Sequence, residues 1–165
     1  MCDQRETRLQ PLLASMTVGE VLQTAMTFEL NAARLYRTLA ETVRLEVRPL
    51  VEELATEETE HHRLLRQLSQ HQGMVERLKE RIRTPATAQE FRAYVNLPEL
   101  PADPLDDDLL EYAQDRERIA FEHYAHLADV AMPGPLRDLF RFLRDEEGKH
   151  AGRLATRWAT MFSVF

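Results

Sequence analysis

The sequence predicts an all-α fold, a four-helix bundle made of two similar helical hairpins joined by a long crossover. Three observations favour this fold. Apolar residues recur at alternating steps of three and four along four long segments, which is the spacing of one buried face per helix. The two halves of the chain carry matching motifs, so each half is predicted to form the same pair of helices. Glycine is scarce, with five in 165 residues, which suits long helices.

The first predicted helix begins after Thr17, because Thr17 and Glu20 have the spacing of a capping box. It is expected to run to about residue 43. Residues 1–16, which precede it, are expected to form a loosely attached N-terminal arm. The chain is long enough for one domain with a sizeable core, which we place at residues 17–162.

The second helix is predicted to begin near Glu46, since Pro49 is tolerated in a first helical turn. It should continue at least to Gln72, where Gly73 can end or weaken it. Residues 74–82 are again compatible with a helix.

Residues 83–106 are predicted to form the crossover, because prolines interrupt them repeatedly. These are Pro85, Pro98, Pro101 and Pro104. A short helix is expected around residues 87–94, where Thr87 and Glu90 have the spacing of another capping box.

The third helix is predicted to start at Asp106–Asp108, since negative charge is favourable at a helix N-terminus. Met132–Pro135 is a sharp break. Pro135 suits the first turn of the fourth helix, which completes the second hairpin.

The apolar stripe of each helix is interrupted only by glutamate or by a Glu-x-x-His pair. The interrupting residues are Glu29 in the first helix, Glu58 and His61 in the second, Glu117 in the third, and Glu147 and His150 in the fourth. A buried and unpaired carboxylate costs several kcal/mol or more, so it normally takes up a proton or a cation. Two divalent metal ions would explain all four carboxylates.

The spacing predicts that these six groups meet. The midpoint between Glu29 and Glu58 falls at 43.5, and that between Glu117 and Glu147 at 132, both within proposed turns. Residues equidistant from the turn of an antiparallel hairpin lie at the same height, here ~20 Å from the turn at 1.5 Å per residue. The alternative is a metal-free bundle with glutamates at its boundary, but matching motifs at equal depth argue against coincidence.

The ligand chemistry indicates the metal. Residues three apart share a helical face, so a Glu-x-x-His pair offers oxygen and nitrogen to one point. Oxygen and nitrogen donors without thiolate suit iron or manganese, and this pattern is typical of di-metal carboxylate bundles. Zinc can substitute in purified protein. Two divalent ions would reduce the net charge from −7 to −3.

Composition excludes several other classes. A net charge of −7 disfavours a nucleic-acid surface. The single cysteine, Cys2, allows neither an intrachain disulfide nor a Cys-x-x-Cys metal site, which fits a cytoplasmic protein. The chain lacks the apolar run of a secretion signal and any stretch of ~20 apolar residues, so no membrane partner is expected.

These paired motifs resemble the rubrerythrin-like branch of the ferritin-like superfamily, over about residues 17–72 and 107–160. The resemblance implies two irons, with Glu58 and Glu147 as bridging carboxylates. The implied ligands, and through the metals the catalytic residues, are Glu29, Glu58, His61, Glu117, Glu147 and His150. Bacterioferritins have a similar ligand set.

The sequence departs from the family pattern in two ways. Rubrerythrins carry a further glutamate three residues after the third-helix ligand, where this chain has Ala120. They also usually carry an extra domain in which four cysteines hold one iron. This chain has one cysteine, so we expect an external electron donor.

Other polar and aromatic residues receive simpler interpretations. Tyr36 and Tyr124 lie seven residues beyond Glu29 and Glu117 on the same faces, and they either hydrogen-bond ligand carboxylates, act in redox steps or fill the core. Four histidines are predicted at the surface: His62, His71, His123 and His126. Four glutamates are predicted to face solvent or form local charge pairs: Glu57, Glu60, Glu122 and Glu146. The aromatic tail is predicted to be divided between core and a homodimer contact: Trp158, Phe162 and Phe165.

The predicted function is a di-iron oxidoreductase that reacts with peroxide or dioxygen, as a peroxidase or a ferroxidase. Three alternatives stay open. They are hydroxylation of an organic substrate, iron binding or storage without turnover, and a bundle that has lost catalysis.

Overall fold

The chain folds into a four-helix bundle, as predicted. The computed structural model describes residues 15–84, 88–95 and 104–162. Its long helices are α1 (Val18–Thr42), α2 (Arg48–Gln70), α4 (Asp106–Val130) and α5 (Pro135–Phe162), and a short helix α3 (Ala88–Val95) lies in the crossover. Helices α1 and α2 form one hairpin, α4 and α5 form the other, and α3 packs against α1 and α4.

Local signals in the sequence set the helix starts. Thr17 and Glu20 form the predicted capping box, in which each side chain accepts a hydrogen bond from the backbone N–H of the other residue. Helix α5 begins at Pro135, as predicted. It follows Gly134, whose φ of 139° is strained for any residue with a side chain.

The segment after α2 differs from the prediction. Helix α2 ends at Gln70, and two short 3-10 turns, Gln72–Met74 and Arg77–Lys79, lead into strand β2 (Arg81–Ile82) instead of a continued helix. β2 pairs antiparallel with strand β1 (Met16–Thr17), so the end of the predicted arm is fixed in a small sheet. Sequence periodicity did not reveal this pairing, because it is a backbone contact between residues 64 and 66 positions apart in the chain.

Some predictions fall outside the described residues. They concern residues 1–14, the Thr87 cap, Phe165 and the prolines at 85, 98 and 101. Within the described ranges, none of the helices is both long and apolar enough to cross a membrane.

The apolar core of the described residues divides into two clusters. One lies at the end of the bundle where α4 turns into α5, and includes Leu22, Leu127 and Phe140. The other lies at the opposite end, where α1 turns into α2, and includes Leu39 and Leu54. The division leaves a polar layer at mid-height, which is where the glutamates and histidines of the four stripes lie.

Candidate metal centre

The six predicted ligand residues lie together in this polar layer. Their side chains come from all four long helices and point into the bundle. Each residue is at most 2% exposed: Glu29, Glu58, His61, Glu117, Glu147 and His150. The predicted convergence of the two hairpins is therefore what the structure shows.

The six groups form two overlapping sets of four donors, and within each set the donor atoms lie within 4.8 Å of one another. We call them position 1 and position 2. Position 1 is formed by Glu29, Glu58, His61 and Glu147. Position 2 is formed by Glu58, Glu117, Glu147 and His150. Glu58 and Glu147 belong to both positions, as expected of carboxylates that bridge two ions.

Each imidazole directs its Nδ1 at the carboxylates. His61 Nδ1 lies 3.1 Å from Glu147, 3.3 Å from Glu58 and 3.5 Å from Glu29. His150 Nδ1 lies 3.1 Å from Glu58, 3.6 Å from Glu117 and 3.8 Å from Glu147. The two rings stack with their centroids 5.4 Å apart, and both direct Nδ1 at the carboxylates of this layer.

The pKa values of the ligand side chains in this layer are shifted in different directions. Burial and the charge of Glu58 raise the pKa of Glu29 to about 8, and burial with the neighbouring carboxylates raises the pKa of Glu147 well above its usual range. Burial lowers the pKa of His150, but hydrogen bonds to Glu117 and Glu58 outweigh it and raise that pKa to about 12.

The other three ligands follow the same balance. Burial lowers the pKa of His61, but the close carboxylates of Glu147, Glu29 and Glu58 outweigh burial and raise that pKa well above its usual range. Burial raises the pKa of Glu58, but the imidazoles of His150 and His61 outweigh burial and hold that pKa well below its usual range. The pKa of Glu117 is lowered too, because hydrogen bonds outweigh burial and the charge of Glu58. The pKa shifts therefore favour protons on the two imidazoles, Glu29 and Glu147, and disfavour them on Glu58 and Glu117.

The donor set fits two metal ions. Several buried polar atoms of the layer have no hydrogen-bond partner in the part of the chain that the structure describes: Oε2 of Glu29, Glu58 and Glu117, both carboxylate oxygens of Glu147, and Nδ1 of His61. Buried polar atoms are normally paired, so a convergent set of unpaired acceptors calls for a cation. Carboxylate oxygen and imidazole nitrogen suit iron or manganese.

Two buried tyrosines connect the hairpins at this layer. Tyr36 donates its hydroxyl hydrogen to Glu117 Oε1, and Tyr124 donates to Glu29 Oε1. Burial, and next the charge of the bonded glutamate, raises the pKa of each tyrosine well above its usual value, so both remain donors. The expected hydrogen bond to ligand carboxylates is confirmed, and each tyrosine serves the glutamate of the other hairpin.

Glu57 has a role that the sequence did not indicate. Its Oε2 lies 2.8 Å from His150 Nε2 and also accepts a hydrogen bond from Arg153 Nη1 at 2.8 Å. The prediction that Glu57 faces solvent holds in part, since 38% of its side chain is exposed, but its contacts cross from α2 to α5 instead of staying local. In a metal-bound protein, a hydrogen bond to this carboxylate would keep the hydrogen on Nε2 and leave Nδ1 for the metal. The repeat could have signalled it, since Glu57 precedes Glu58 as Glu146 precedes Glu147.

His123 is also placed differently from the prediction. It is 5% exposed and stacks on Phe91 of α3, with ring centroids 3.9 Å apart. Burial lowers its pKa to about 3, so it is a neutral core residue. The surface prediction is wrong because helix α3 covers this face of α4, which the stripe pattern alone did not reveal.

The other surface predictions fare better. His126 and His71 are exposed, and His62 is partly buried and bonded to the carbonyl of Met26. Local pairs join Glu60 to Arg63, Glu122 to Arg118 and Glu146 to Lys149. Trp158 is 41% exposed and packs against Phe162.

Comparisons with known proteins agree with this geometry. A family model described as Rubrerythrin matches residues 20–157. The crystal structure of a ferritin-like diiron-carboxylate protein from Thermotoga maritima is similar, with a TM-score of 0.71 and 22% sequence identity over 92% of this chain and 99% of that one. At that identity the likeness shows the fold. No curated protein matches the sequence.

Proposed function

We propose, from the premise that this chain belongs to the rubrerythrin family, that it is a di-iron carboxylate oxidoreductase that reacts with peroxide or dioxygen. Membership of that family implies iron binding. The observation that carries the proposal is the pair of four-donor sets that share Glu58 and Glu147 in a buried layer. Two adjacent ions that share carboxylates can together give two electrons to one oxidant.

The proposed ligands divide by position. Glu29 and His61 would hold the ion at position 1, and Glu117 and His150 the ion at position 2. Glu58 and Glu147 would bridge them. Bound iron would supply the electrons for reducing the oxidant, while the four carboxylates offset the charge of two divalent ions. Manganese or zinc would fit the same donors.

The surrounding residues orient this ligand set. Each tyrosine bonds to Oε1 of a lone glutamate and leaves its Oε2 directed at a histidine. Glu29 Oε2 lies 3.5 Å from His61 Nδ1, and Glu117 Oε2 lies 3.6 Å from His150 Nδ1. Glu57 places a carboxylate oxygen 2.8 Å from His150 Nε2, where it would favour the tautomer that leaves Nδ1 for a metal. The apolar clusters above and below the layer limit water, which strengthens every charge interaction inside.

The residue at sequence position 120 bears on which oxidant the protein can reduce. Ala120 is fully buried where rubrerythrins carry a further glutamate, so no carboxylate from that position can join the layer. This disfavours a mechanism in which that extra carboxylate replaces a histidine, and efficient peroxide reduction with it. We therefore propose that dioxygen and peroxide be tested as separate oxidants.

We also propose the remaining partners. Electrons would come from another molecule, because Cys2 is the only cysteine of the sequence. The exposed Trp158 would contribute to a homodimer contact. A cytoplasmic location agrees with the low cysteine content.

The test combines metal analysis with single-turnover kinetics. Protein loaded anaerobically with ferrous iron should hold two irons per chain and should be oxidised by dioxygen or peroxide faster than free iron in the same buffer. Glu60→Gln, a surface change on the same helix as Glu58, should behave like the wild type, whereas Glu58→Gln should not. No acceleration with either oxidant would reject the proposal, and loading far beyond two irons would favour storage.

A further inference from the structure

A third group of possible metal ligands connects the buried layer to the surface between α2 and α5. His61, His150 and Glu146 each offer one donor atom, and these three atoms lie within 4.8 Å of one another. The two histidines belong to the buried layer, but Glu146 does not, and 21% of its side chain is exposed. We call these three residues the third donor group.

His150 presents its two ring nitrogens to different surroundings. Nδ1 lies 3.1 Å from Glu58 in the layer, whereas Nε2 lies 2.8 Å from Oε2 of Glu57, whose side chain is 38% exposed. The contact with Glu57 is close but lacks hydrogen-bond geometry, so the buried Nε2 has no hydrogen-bond partner among the residues that the structure describes. An unpaired imidazole nitrogen near the partly exposed carboxylates of Glu57 and Glu146 suits a divalent cation.

The cleft between α2 and α5 also offers the more polar approach to the layer. Apolar clusters close the layer toward both ends of the bundle. On the side that α3 covers, Phe91 stacks on Phe28 of α1. Between α2 and α5, the half-exposed ring of Phe142 packs edge-on against His61, and Glu146 follows Phe142 by one helical turn. A cation that enters here meets carboxylates and imidazoles before it meets apolar core.

We propose that divalent cations reach the layer between α2 and α5, and that the third donor group is their transit site. The inference rests on the proposed two-metal centre. Glu146 captures the cation at the surface, and Nε2 of His150 binds it next. Position 2 lies on the Nδ1 side of the same ring, so the cation arrives there by exchanging these ligands for those of the layer.

The transit site holds a cation during loading and releases it to the layer. A neutral imidazole has one nitrogen that can accept a metal and one that carries hydrogen. His150 therefore does not bind a transit cation through Nε2 while Nδ1 binds the ion at position 2. Two ions per chain remain the final content, and the third donor group affects how fast they enter.

Lys149 allows a test in the opposite direction. Its ammonium nitrogen lies 2.5 Å from Glu146 Oε1, and 68% of its side chain is exposed. Lys149 thus competes with an entering cation for this carboxylate. Removal of the lysine charge should speed loading, whereas removal of the glutamate charge should slow it. A general disturbance of α5 would not change the rate in opposite directions.

The experiment mixes metal-free protein with Co²⁺ by stopped flow and follows the visible absorption of the bound ion. Glu146→Gln should slow loading about tenfold and Lys149→Met should speed it by a similar factor, because charge at an entrance changes association rates to that extent. Added salt should slow the wild type more than Glu146→Gln. Glu122→Gln removes a carboxylate of α4 that is also paired with a neighbouring cation, Arg118. It is the matched control and should load like the wild type.

Equilibrium titration separates this inference from the proposed function. The wild type, Glu146→Gln and Lys149→Met should each bind two Co²⁺ per chain, with affinities within about fivefold of one another, as for exposed charges. Wild-type loading rates in Glu146→Gln, or slower loading in Lys149→Met, would overturn the inference and leave the two-metal centre intact. A weaker affinity of Glu146→Gln without slower loading would make Glu146 a ligand of the loaded centre and would also overturn it. Fewer than two ions bound by the wild type would overturn both.

Discussion

The two hairpins carry the same ligands at the same depth and differ in what surrounds those ligands. Toward the layer each offers one lone glutamate, one Glu-x-x-His pair and one tyrosine. Beside these residues, Phe28 of α1 corresponds to Arg116 of α4, and Leu35 to His123, and all four are buried. The inward, ligand-bearing faces of the two hairpins are therefore alike, and the adjoining faces, which we call outward, are not.

The crossover explains part of this difference. Phe91 of α3 stacks on Phe28 at 4.2 Å and on His123 at 3.9 Å, so the short helix packs against unlike residues of α1 and α4. Binding two like ions, as proposed, would constrain the inward residues of both hairpins in the same way. A single covering helix constrains the outward residues differently on each side.

The largest expected effect comes from the bridging carboxylates. Glu58→Gln removes a charge from both positions, so we expect both ions to bind about a thousandfold more weakly or to be lost. Because the hairpins are equivalent at the layer, Glu147→Gln should do the same, whereas Glu29→Gln and Glu117→Gln should each retain one ion. Metal content after dialysis is the measurement. A Glu58→Gln protein that still holds two ions would contradict the assignment of Glu58 as a bridge.

A second prediction concerns the protons that metal must displace. At about pH 7 the raised pKa values leave protons on Glu29 and His61 of one hairpin and on Glu147 and His150 of the other. Metal binds only the deprotonated forms, so loading two ions should release nearly four protons, and the combined affinity should fall as pH falls, by up to about 10⁴-fold per pH unit. Calorimetry of Co²⁺ binding in buffers of different ionisation enthalpy counts these protons.

The proton count also tests the equivalence of the hairpins. Because Glu147 belongs to both positions, filling position 1 first should release three protons and then one, whereas filling position 2 first should release two and then two. Release of fewer than two protons in total would show that the layer is not protonated in this way.

A third prediction is that metal holds the hairpins together. Each proposed ion would contact residues of both hairpins, so a metal concentration a hundredfold above the dissociation constant should add about 2.7 kcal/mol to the free energy of unfolding. For a chain of this size that corresponds to roughly 5–10 °C in melting temperature. The Glu58→Gln variant serves as the control and should show a much smaller shift. Equal melting temperatures of wild-type protein with and without metal would count against a shared centre.

The sequence predicted the inward faces well, for a physical reason. Helical periodicity reports which residues face a core, and a charged residue such as Glu29 or Glu147 on that face is costly enough to stand out. The capping box at Thr17 and the break at Pro135 are likewise local signals, and both helices begin there.

The outward contacts were harder to predict, because they depend on which element covers a face. His123 is a core residue only because α3 packs on it, and Glu57 reaches His150 only because α2 and α5 lie side by side. The pairing of β1 with β2 joins residues far apart in sequence and leaves no periodic pattern. The burial of Arg116 was not predicted, because a charged residue beside an apolar stripe normally faces solvent.

The smallest expected effect distinguishes Glu57 from its repeat counterpart Glu146. Glu57 contacts His150 Nε2 directly at 2.8 Å, whereas the carboxylate of Glu146 pairs with Lys149 of its own helix. Carboxylates that orient a ligand histidine typically change metal affinity 10- to 100-fold, so Glu57→Gln should weaken Co²⁺ binding about tenfold. Glu146→Gln should change it less, which makes it the matched control. Equal losses in the two variants would mean that Glu146 supports His61 as closely as Glu57 supports His150, and that the two hairpins are alike beyond their ligands.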